Sequence, residues 1–275
     1  MTTTCRPNTI RAADGTELFY RDWGEGRPVL FVASWSMPSE SWQYQMMHLL
    51  DRGMRVIAFD RRGHGRSGDP GRGYDFDTLA DDIAAVIETL DLRGVTLVGH
   101  SMGCNEIVRY LARHGTARVA RAALLGTVTP YLPQTADNPD GIDQAYFDTF
   151  RNEELVRDLP QWVDDNMVPF VYEETPQGMK GWLRQLVFTA SLHALRECHA
   201  ALTHTDFRAD LPRIDIPVLL IAGDADATCP LELTAKRSAA LLPHATLKVY
   251  EGAPHGMFIT HMDRVNADLL EFIRQ

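Results

Sequence analysis

A rhythm in the sequence narrows the possible folds more than any other feature. Short, continuously apolar runs rich in β-branched residues alternate with longer stretches patterned for one helical face. Val29–Ala33 leads to a helix around Ser41–Leu50, and Arg55–Asp60 leads to a glycine-rich loop and then to Thr78–Leu90. Val95–Gly99 leads to a helix from Ser101 to about Arg113, and Ala122–Gly126 is another such run. In Thr78–Leu90, the residues Leu79, Ile83, Val86, Ile87 and Leu90 share one side of a helix. A strand that is apolar on both faces must be covered on both, and an intervening helix returns the chain for parallel pairing. The expected class is α/β: a mostly parallel sheet with helices on both faces.

Ahead of the rhythm, Thr9–Arg11 and Glu17–Asp22 flank Asp14-Gly15, a dipeptide suited to a hairpin. The rhythm stops between Thr127 and about Asp210. That stretch shows only helical patterns (Asp143–Leu159, Pro160–Met167, Gln177–Thr189, Leu192–Thr203) separated by prolines. It resumes with Pro217–Ala222, a helix at Leu231–Leu242, a strand at Thr246–Tyr250 and a final helix from about Asp263 to Arg274. A chain of 275 residues can enclose one sizeable core without disulfides or metals. One domain is expected, with a core of residues 1–126 and 211–275. A helical cap of about 127–210 would roof the carboxyl ends of the strands.

Composition removes several functions. Lys plus Arg number 27 against 37 Asp plus Glu, a net charge of −10 without any basic run, so nucleic acid is not an expected partner. The longest apolar runs span seven or eight residues, against roughly 20 for a membrane helix. The opening residues lack the basic-then-apolar order of a secretory signal. Cys5, Cys104, Cys198 and Cys229 form no C-x-x-C pair and read as free thiols of a reducing compartment, so a cytoplasmic location is expected.

The sharpest chemical signal is Gly99-His100-Ser101-Met102-Gly103, the pattern G-x-S-x-G. An apolar strand enters it and a helix leaves it, so Ser101 sits on a tight strand-to-helix turn. Such a turn lifts the hydroxyl above the sheet and points a helix N-terminus at any oxyanion formed there. A helix-capping serine in a glycine-rich turn would show the same five residues, so the reading depends on a base and an acid being present. Of ten histidines, His255 in Gly252-Ala253-Pro254-His255-Gly256 follows a strand's carboxyl end. His100 adjoins the serine but points elsewhere, His64 belongs to a glycine loop, and His48, His114, His193 and His199 fall on helices. Asp224 and Asp226 both follow the strand at Pro217–Ala222. Asp226 is the expected partner of His255, with Asp224 bonding its own turn.

Two other chemistries find no support. Gly63-His64-Gly65-Arg66-Ser67-Gly68 matches G-x-G-x-x-G, but Asp69-Pro70-Gly71-Arg72-Gly73 follows and breaks the helix that a dinucleotide's pyrophosphate would need. No H-E-x-x-H pattern or paired Cys/His cluster suggests a metal.

Taken together, these segments resemble the α/β-hydrolases along nearly the whole chain. The likeness is to the bacterial cofactor-free haloperoxidase/perhydrolase and esterase group in particular. It is carried by Phe59–Ser67, Gly99–Gly103, Thr135–Ile142, Asp206–Leu211, Gly223–Pro230 and Gly252–Gly256. The resemblance implies Ser101 as nucleophile, His255 as general base then acid, and Asp226 as the group that orients the imidazolium. It also implies a cap and no metal or organic cofactor. Backbone N–H groups of Trp35 and Met102 would form the oxyanion hole. Here the chain departs from its relatives, with Ala33-Ser34-Trp35-Ser36 in place of the usual His-Gly-Trp-Pro. Loss of the glycine calls the loop's turn into question, and loss of the proline frees its backbone. In this group Trp-Pro goes with peracid chemistry, so its absence favours plain hydrolysis.

The expected activity is hydrolysis of carboxylic esters with small to medium, mainly apolar acyl groups through an acyl-enzyme. Perhydrolysis or cofactor-free halogenation, or lactone or C–C bond hydrolysis on the same triad, are the alternatives. Trp35, Phe147, Trp162 and Trp182 are the expected pocket residues. The expected partner is a small-molecule ester, and a homo-oligomer is compatible with the sequence.

Overall fold

The computed structural model describes residues 8–275; Cys5 and the rest of the first seven residues lie outside it. Eight strands form one sheet: β1 (Thr9–Arg11), β2 (Glu17–Trp23), β3 (Pro28–Val32), β4 (Arg55–Phe59), β5 (Val95–His100), β6 (Val119–Leu125), β7 (Val218–Gly223) and β8 (Ala245–Tyr250). Their order across the sheet is β1-β2-β4-β3-β5-β6-β7-β8. β1 pairs with β2, and β2 with β4, antiparallel, while every pairing from β4 to β8 is parallel. From β3 the chain crosses first to β4 on one side and later to β5 on the other. This reversal opens a crevice at the carboxyl ends of β3 and β5.

The helices are α1 (Gln43–Leu50), α2 (Phe76–Thr89), α3 (Met102–His114), α4 (Gln144–Thr149), α5 (Leu155–Arg157), α6 (Leu159–Val171), α7 (Gln177–Val187), α8 (Leu192–His204), α9 (Ala235–Leu241), α10 (Met257–Thr260) and α11 (Met262–Arg274). Strand residues alternate between two apolar cores because successive side chains leave a strand on opposite faces. Leu30, Val32, Ile57 and Phe59 pack with Leu79, Ile83 and Val86 of α2 and Ile107 of α3. Val29, Phe31, Val56 and Ala58 pack with Trp42, Met46 and Leu49 and with Leu269 and Phe272 of α11.

The segment between β6 and β7 is helical, as its patterning predicts, but its divisions differ. The pattern over Asp143–Leu159 resolves into α4, a π-helical turn (Phe150–Glu154) and α5. It ends at Asp158, whose extended backbone (φ −157°) leaves the helix while its carboxylate caps α6 through the Gln161 N–H at 3.0 Å. The helix expected from Leu231 starts only at Ala235, because the Thr234 hydroxyl and the Leu233 and Thr234 N–H groups close tight turns on Pro230. Among the described residues no helix is long and apolar enough to cross a membrane.

Candidate active site

Ser101 lies between β5 and α3 with φ 54° and ψ −121°, a conformation that a side chain adopts only under strain. Its N–H is held by Leu125 O at 2.9 Å, and its carbonyl accepts the Cys104 N–H at 2.9 Å. The flanking glycines serve close approach and not a left-handed φ. A Cβ on Gly99 would lie 2.8 Å from Gly103 C, and one on Gly103 would lie 2.4 Å from Val32 O. The turn is thereby pressed against the end of β3.

His255 and Asp226 follow β8 and β7. Nδ1 of His255 is 2.7 Å from Asp226 Oδ2, and the two side chains are almost wholly buried. The other carboxylate oxygen accepts the Thr228 N–H at 2.9 Å and the Cys229 N–H at 2.7 Å. Three N–H bonds fix the orientation of the carboxylate, and its contact with Nδ1 fixes the imidazole tautomer with the proton on that nitrogen. The imidazole packs on Gly126, where a Cβ would stand 3.2 Å from the ring. Gly126 directly follows the carbonyl that holds Ser101, so serine and histidine share one support. No hydrogen bond joins the Ser101 hydroxyl to the imidazole among the described residues.

Asp224 departs from expectation. Its carboxylate does not close its own turn but reaches across to the Gly252 N–H at 2.6 Å, tying the loop after β7 to the loop after β8. The Asx-type bonds belong to Asp226 instead. His100 is not aimed at Ser101; its Nε2 lies 2.9 Å from His255 O, and the two rings stand 4.7 Å apart. Burial holds His100 well below the ordinary histidine range, so it donates as a neutral ring.

Trp35 follows β3 on the opposite flank of Ser101. Ser34 before it has no positive φ, so the turn is made in ordinary backbone and does not require glycine there. The Trp35 indole donates to Leu195 O of α8 at 2.8 Å. Its ring meets Trp162 at 5.7 Å, Phe150 at 6.0 Å and His199 at 6.0 Å, and Phe147 reaches the same group through His199 at 6.1 Å. Of the expected pocket residues, Trp35, Phe147 and Trp162 are brought together. Trp182 is not among them, because its ring stands against Tyr44 of α1 at 5.6 Å. On the His255 side, Phe170 O of α6 accepts the Gly256 N–H at 2.8 Å. The inserted helices thus touch both flanks of Ser101.

Comparison with known proteins decides the family. Residues 27–262 match the model of the alpha/beta hydrolase fold. The chain belongs to the α/β-hydrolase family. It is 45% identical over 270 residues to a non-heme haloperoxidase of Rhodococcus erythropolis, covering 96% of this chain and 98% of that one. It is 38% identical to a bifunctional esterase/perhydrolase of Acinetobacter calcoaceticus, covering 96% of this chain and 99% of that one. Among solved structures, an esterase from Exiguobacterium antarcticum superposes with a TM-score of 0.94 at 32% identity, covering 98% of this chain and all of that one. The protein is therefore an enzyme of the hydrolase class whose relatives include esterases and perhydrolases.

This α/β-hydrolase also holds functional candidates that sequence reasoning passed over. Arg61 is buried and donates to Ala33 O at 2.6 Å and Ser34 O at 2.9 Å, the carbonyls just before Trp35. Glu106 of α3 pairs with the same guanidinium through Arg61 Nε at 2.7 Å; burial pushes its carboxyl up to about 7 against the pull of Arg61. His64, set aside as part of a glycine loop, is buried with Nε2 2.6 Å from Trp35 O and Nδ1 3.0 Å from Arg62 O. Burial lowers it to about 4.

Asp226, Cys229 and His255 bring one carboxylate, one thiol and one imidazole within 4.8 Å of one another. As a ligand set for a resident metal they fit poorly. Asp226 is committed to three N–H donors, and burial together with the Asp226 charge pushes the Cys229 thiol well above its ordinary range. A metal takes the thiolate, which burial disfavours here, and a free ring nitrogen, whereas Nδ1 is engaged with Asp226.

Proposed function

We propose that this α/β-hydrolase cleaves carboxylic esters through a Ser101–His255–Asp226 triad. The observation that carries the reading is the buried 2.7 Å pair of His255 and Asp226 beside a serine with φ 54°. The Ser101 Oγ attacks the ester carbonyl while His255 Nε2 takes its proton. Asp226, holding Nδ1–H, stabilises the imidazolium that results. The Met102 and Trp35 N–H groups receive the negative charge that develops on the carbonyl oxygen, each contributing roughly 3–4 kcal/mol to lowering the barrier. The imidazolium then protonates the leaving alcohol, and water activated by His255 releases the acid. The acyl group packs on the rings of Trp35, Phe150 and Trp162, which favours apolar and aromatic acids. The unpaired buried thiols of Cys104, Cys198 and Cys229 support a reducing, cytoplasmic setting.

The test is hydrolysis of p-nitrophenyl esters by Ser101→Ala. Turnover should fall by about 10⁴-fold or more, to what binding and oxyanion donors alone retain, and labelling by a fluorophosphonate should vanish. A folded Ser101→Ala protein within about tenfold of wild-type turnover, or one still labelled by the fluorophosphonate, would sink the reading. A second reading is favoured by the haloperoxidase and perhydrolase names of the relatives. Hydrogen peroxide in place of water at the acyl-enzyme yields a peracid and regenerates Ser101; the peracid then oxidises a bromide or chloride ion to hypohalous acid, itself returning to the carboxylic acid, and the hypohalous acid halogenates. Acetate- and peroxide-dependent halogenation of monochlorodimedone decides between them.

A further inference from the structure

The peptide unit between Ser34 and Trp35 has two ends. One is the Trp35 N–H, the oxyanion donor of the proposed mechanism; the other is Ser34 C=O, which accepts from Arg61 Nη1 at 2.9 Å. In a trans peptide these groups point in opposite directions, so whatever fixes the carbonyl also aims the N–H. The neighbouring carbonyls are held by the same hand. Ala33 O accepts from Arg61 Nη2 at 2.6 Å, and Trp35 O lies 3.3 Å from Arg61 Nη1 and 2.6 Å from His64 Nε2. Three consecutive carbonyls thus rest on one guanidinium and one imidazole.

The support is itself rigid. The Arg61 and Glu106 side chains are 2% and 1% exposed, and Arg61 Nε and Nη2 both donate to Glu106 Oε1. α3, which carries Glu106, also begins at Met102, the second proposed oxyanion donor. One helix therefore registers both donors.

We propose that Arg61, locked by Glu106 and joined by His64, is the positioning residue that aims and polarises the Trp35 N–H. The inference rests on the ester-hydrolase reading above. Two physical reasons support it. Ser34, Trp35 and Ser36 include neither glycine nor proline, so the loop's own sequence fixes little of its shape and support must come from outside it. A cation bonded at the carbonyl end draws charge along the peptide and makes its N–H a better donor to an anion. Lysine could not do the same, because a single ammonium lacks the planar fork that spans several carbonyls.

The experiment is steady-state kinetics of the full-length protein on p-nitrophenyl esters with two variants. Arg61→Lys keeps a cation beside Glu106; Arg61→Met combined with Glu106→Gln removes both buried charges, so neither is left unpaired. In each, kcat should fall by about 10- to 100-fold, part of the 10²–10³ that loss of a whole donor brings, with KM within about threefold of wild type. Affinity for a boronic acid that forms a tetrahedral adduct on Ser101 should fall in proportion to kcat/KM. Affinity for the carboxylic acid product should hold. His64→Ala should lose several-fold in kcat, and His64→Gln, whose amide can still donate to Trp35 O, should recover most of it. A folded Arg61 variant with kcat near wild type overturns the proposal. So does a loss of product affinity as large as the loss of boronate affinity, which marks a merely structural role. If Ser101→Ala stays active, the ester-hydrolase reading fails; if Ser101→Ala is dead and Arg61→Lys is not impaired, only the positioning role fails.

Discussion

The two flanks of Ser101 are built in different ways. On one, Asp226 and His255 come from adjacent loops and bond each other directly, and the second oxygen of the acid is held by its own turn. Asp226 is fixed by the N–H groups of Thr228 and Cys229 a few residues on. On the other, the loop at Ala33–Trp35 is held by Arg61 and His64, 26 to 29 positions away, and Arg61 in turn by Glu106 a further 45 positions on. On the proton-handling flank the reacting side chains hold each other, whereas the oxyanion flank is held by side chains from the loop after β4 and from α3. Damage to the first should therefore be confined to chemistry. Damage to the second should arise from residues that touch no substrate.

The largest effect expected lies on the local flank. Asp226→Asn keeps the shape and one acceptor oxygen but removes the charge and permits the wrong imidazole tautomer. Turnover should fall by up to about 10⁴-fold, the size seen when a triad acid is neutralised, with the circular dichroism spectrum unchanged. A folded Asp226→Asn protein within tenfold of wild type would break the assignment.

This contrast also explains what the sequence discloses. Ser101, Asp226 and His255 each follow an apolar strand run, and the chemistry demands one of each in turn, so pattern and mechanism find them together. Trp35 and Met102 emerge from resemblance. Arg61, His64 and Glu106 carry no period and no motif of their own; only the folded sheet brings them beneath one loop. After the G-x-G-x-x-G segment the next helix begins only at Phe76, and a reading of that segment by its glycines alone gives no sign of His64. In the inserted helices, periodicity discloses that a face is apolar and not what it meets. Hence periodicity groups Trp182 with Trp35 although it packs on Tyr44, and gives no sign that His199 stands 4.6 Å from Phe150.

A smaller perturbation can move one flank against the other. Gly103→Ala places a Cβ 2.4 Å from Val32 O and 2.8 Å from Ala33 O, both backbone atoms that cannot rotate away. Either the serine turn or the oxyanion loop must shift. A loss of about 10- to 100-fold in kcat is expected, as for displacements near 1 Å at a reacting centre, with about 1–3 kcal/mol of stability. Stopped-flow acylation and urea unfolding measure the two separately. Unchanged acylation would show that the close approach of α3 to β3 is not needed for alignment.

Acid should weaken the remote flank through His64. Its folded value of about 4 lies below the ordinary 6.5, so between those values the unfolded chain binds more protons than the folded one. Stability therefore rises with pH across that window and is lost as pH falls from about 6.5 toward 4. The His64 share is about 2 kcal/mol at pH 5. His199, also lowered to about 4, adds to the same trend from the inserted helices. Urea unfolding of wild type and His64→Gln at pH 7 and pH 5 should show a smaller drop for the variant. An equal drop in both would remove His64 from the account.

The smallest effect is expected at Asp224, and it isolates the acid of the triad. Asp224 accepts the Gly252 N–H at 2.6 Å from an exposed position, joining the loops that carry Asp226 and His255 without touching either side chain. An asparagine oxygen can accept the same bond, so Asp224→Asn should stay within about threefold of wild-type kcat. Its stability should change by no more than the 0.5–1.5 kcal/mol of a typical hydrogen bond, roughly. Asp224→Ala leaves the Gly252 N–H to water, which is at hand, so its cost should also stay within about that range. If the His255 loop nevertheless loosens, KM and kcat should move together in Asp224→Ala and recover in Asp224→Asn. The informative comparison is with Asp226→Asn on protein of equal melting temperature. Should Asp224→Asn prove the crippled variant and Asp226→Asn the active one, the 2.7 Å pairing of His255 with Asp226 is not the one used in turnover. The local flank would then also depend on a rearrangement of the loop after β7, and its contrast with the remotely supported flank would disappear.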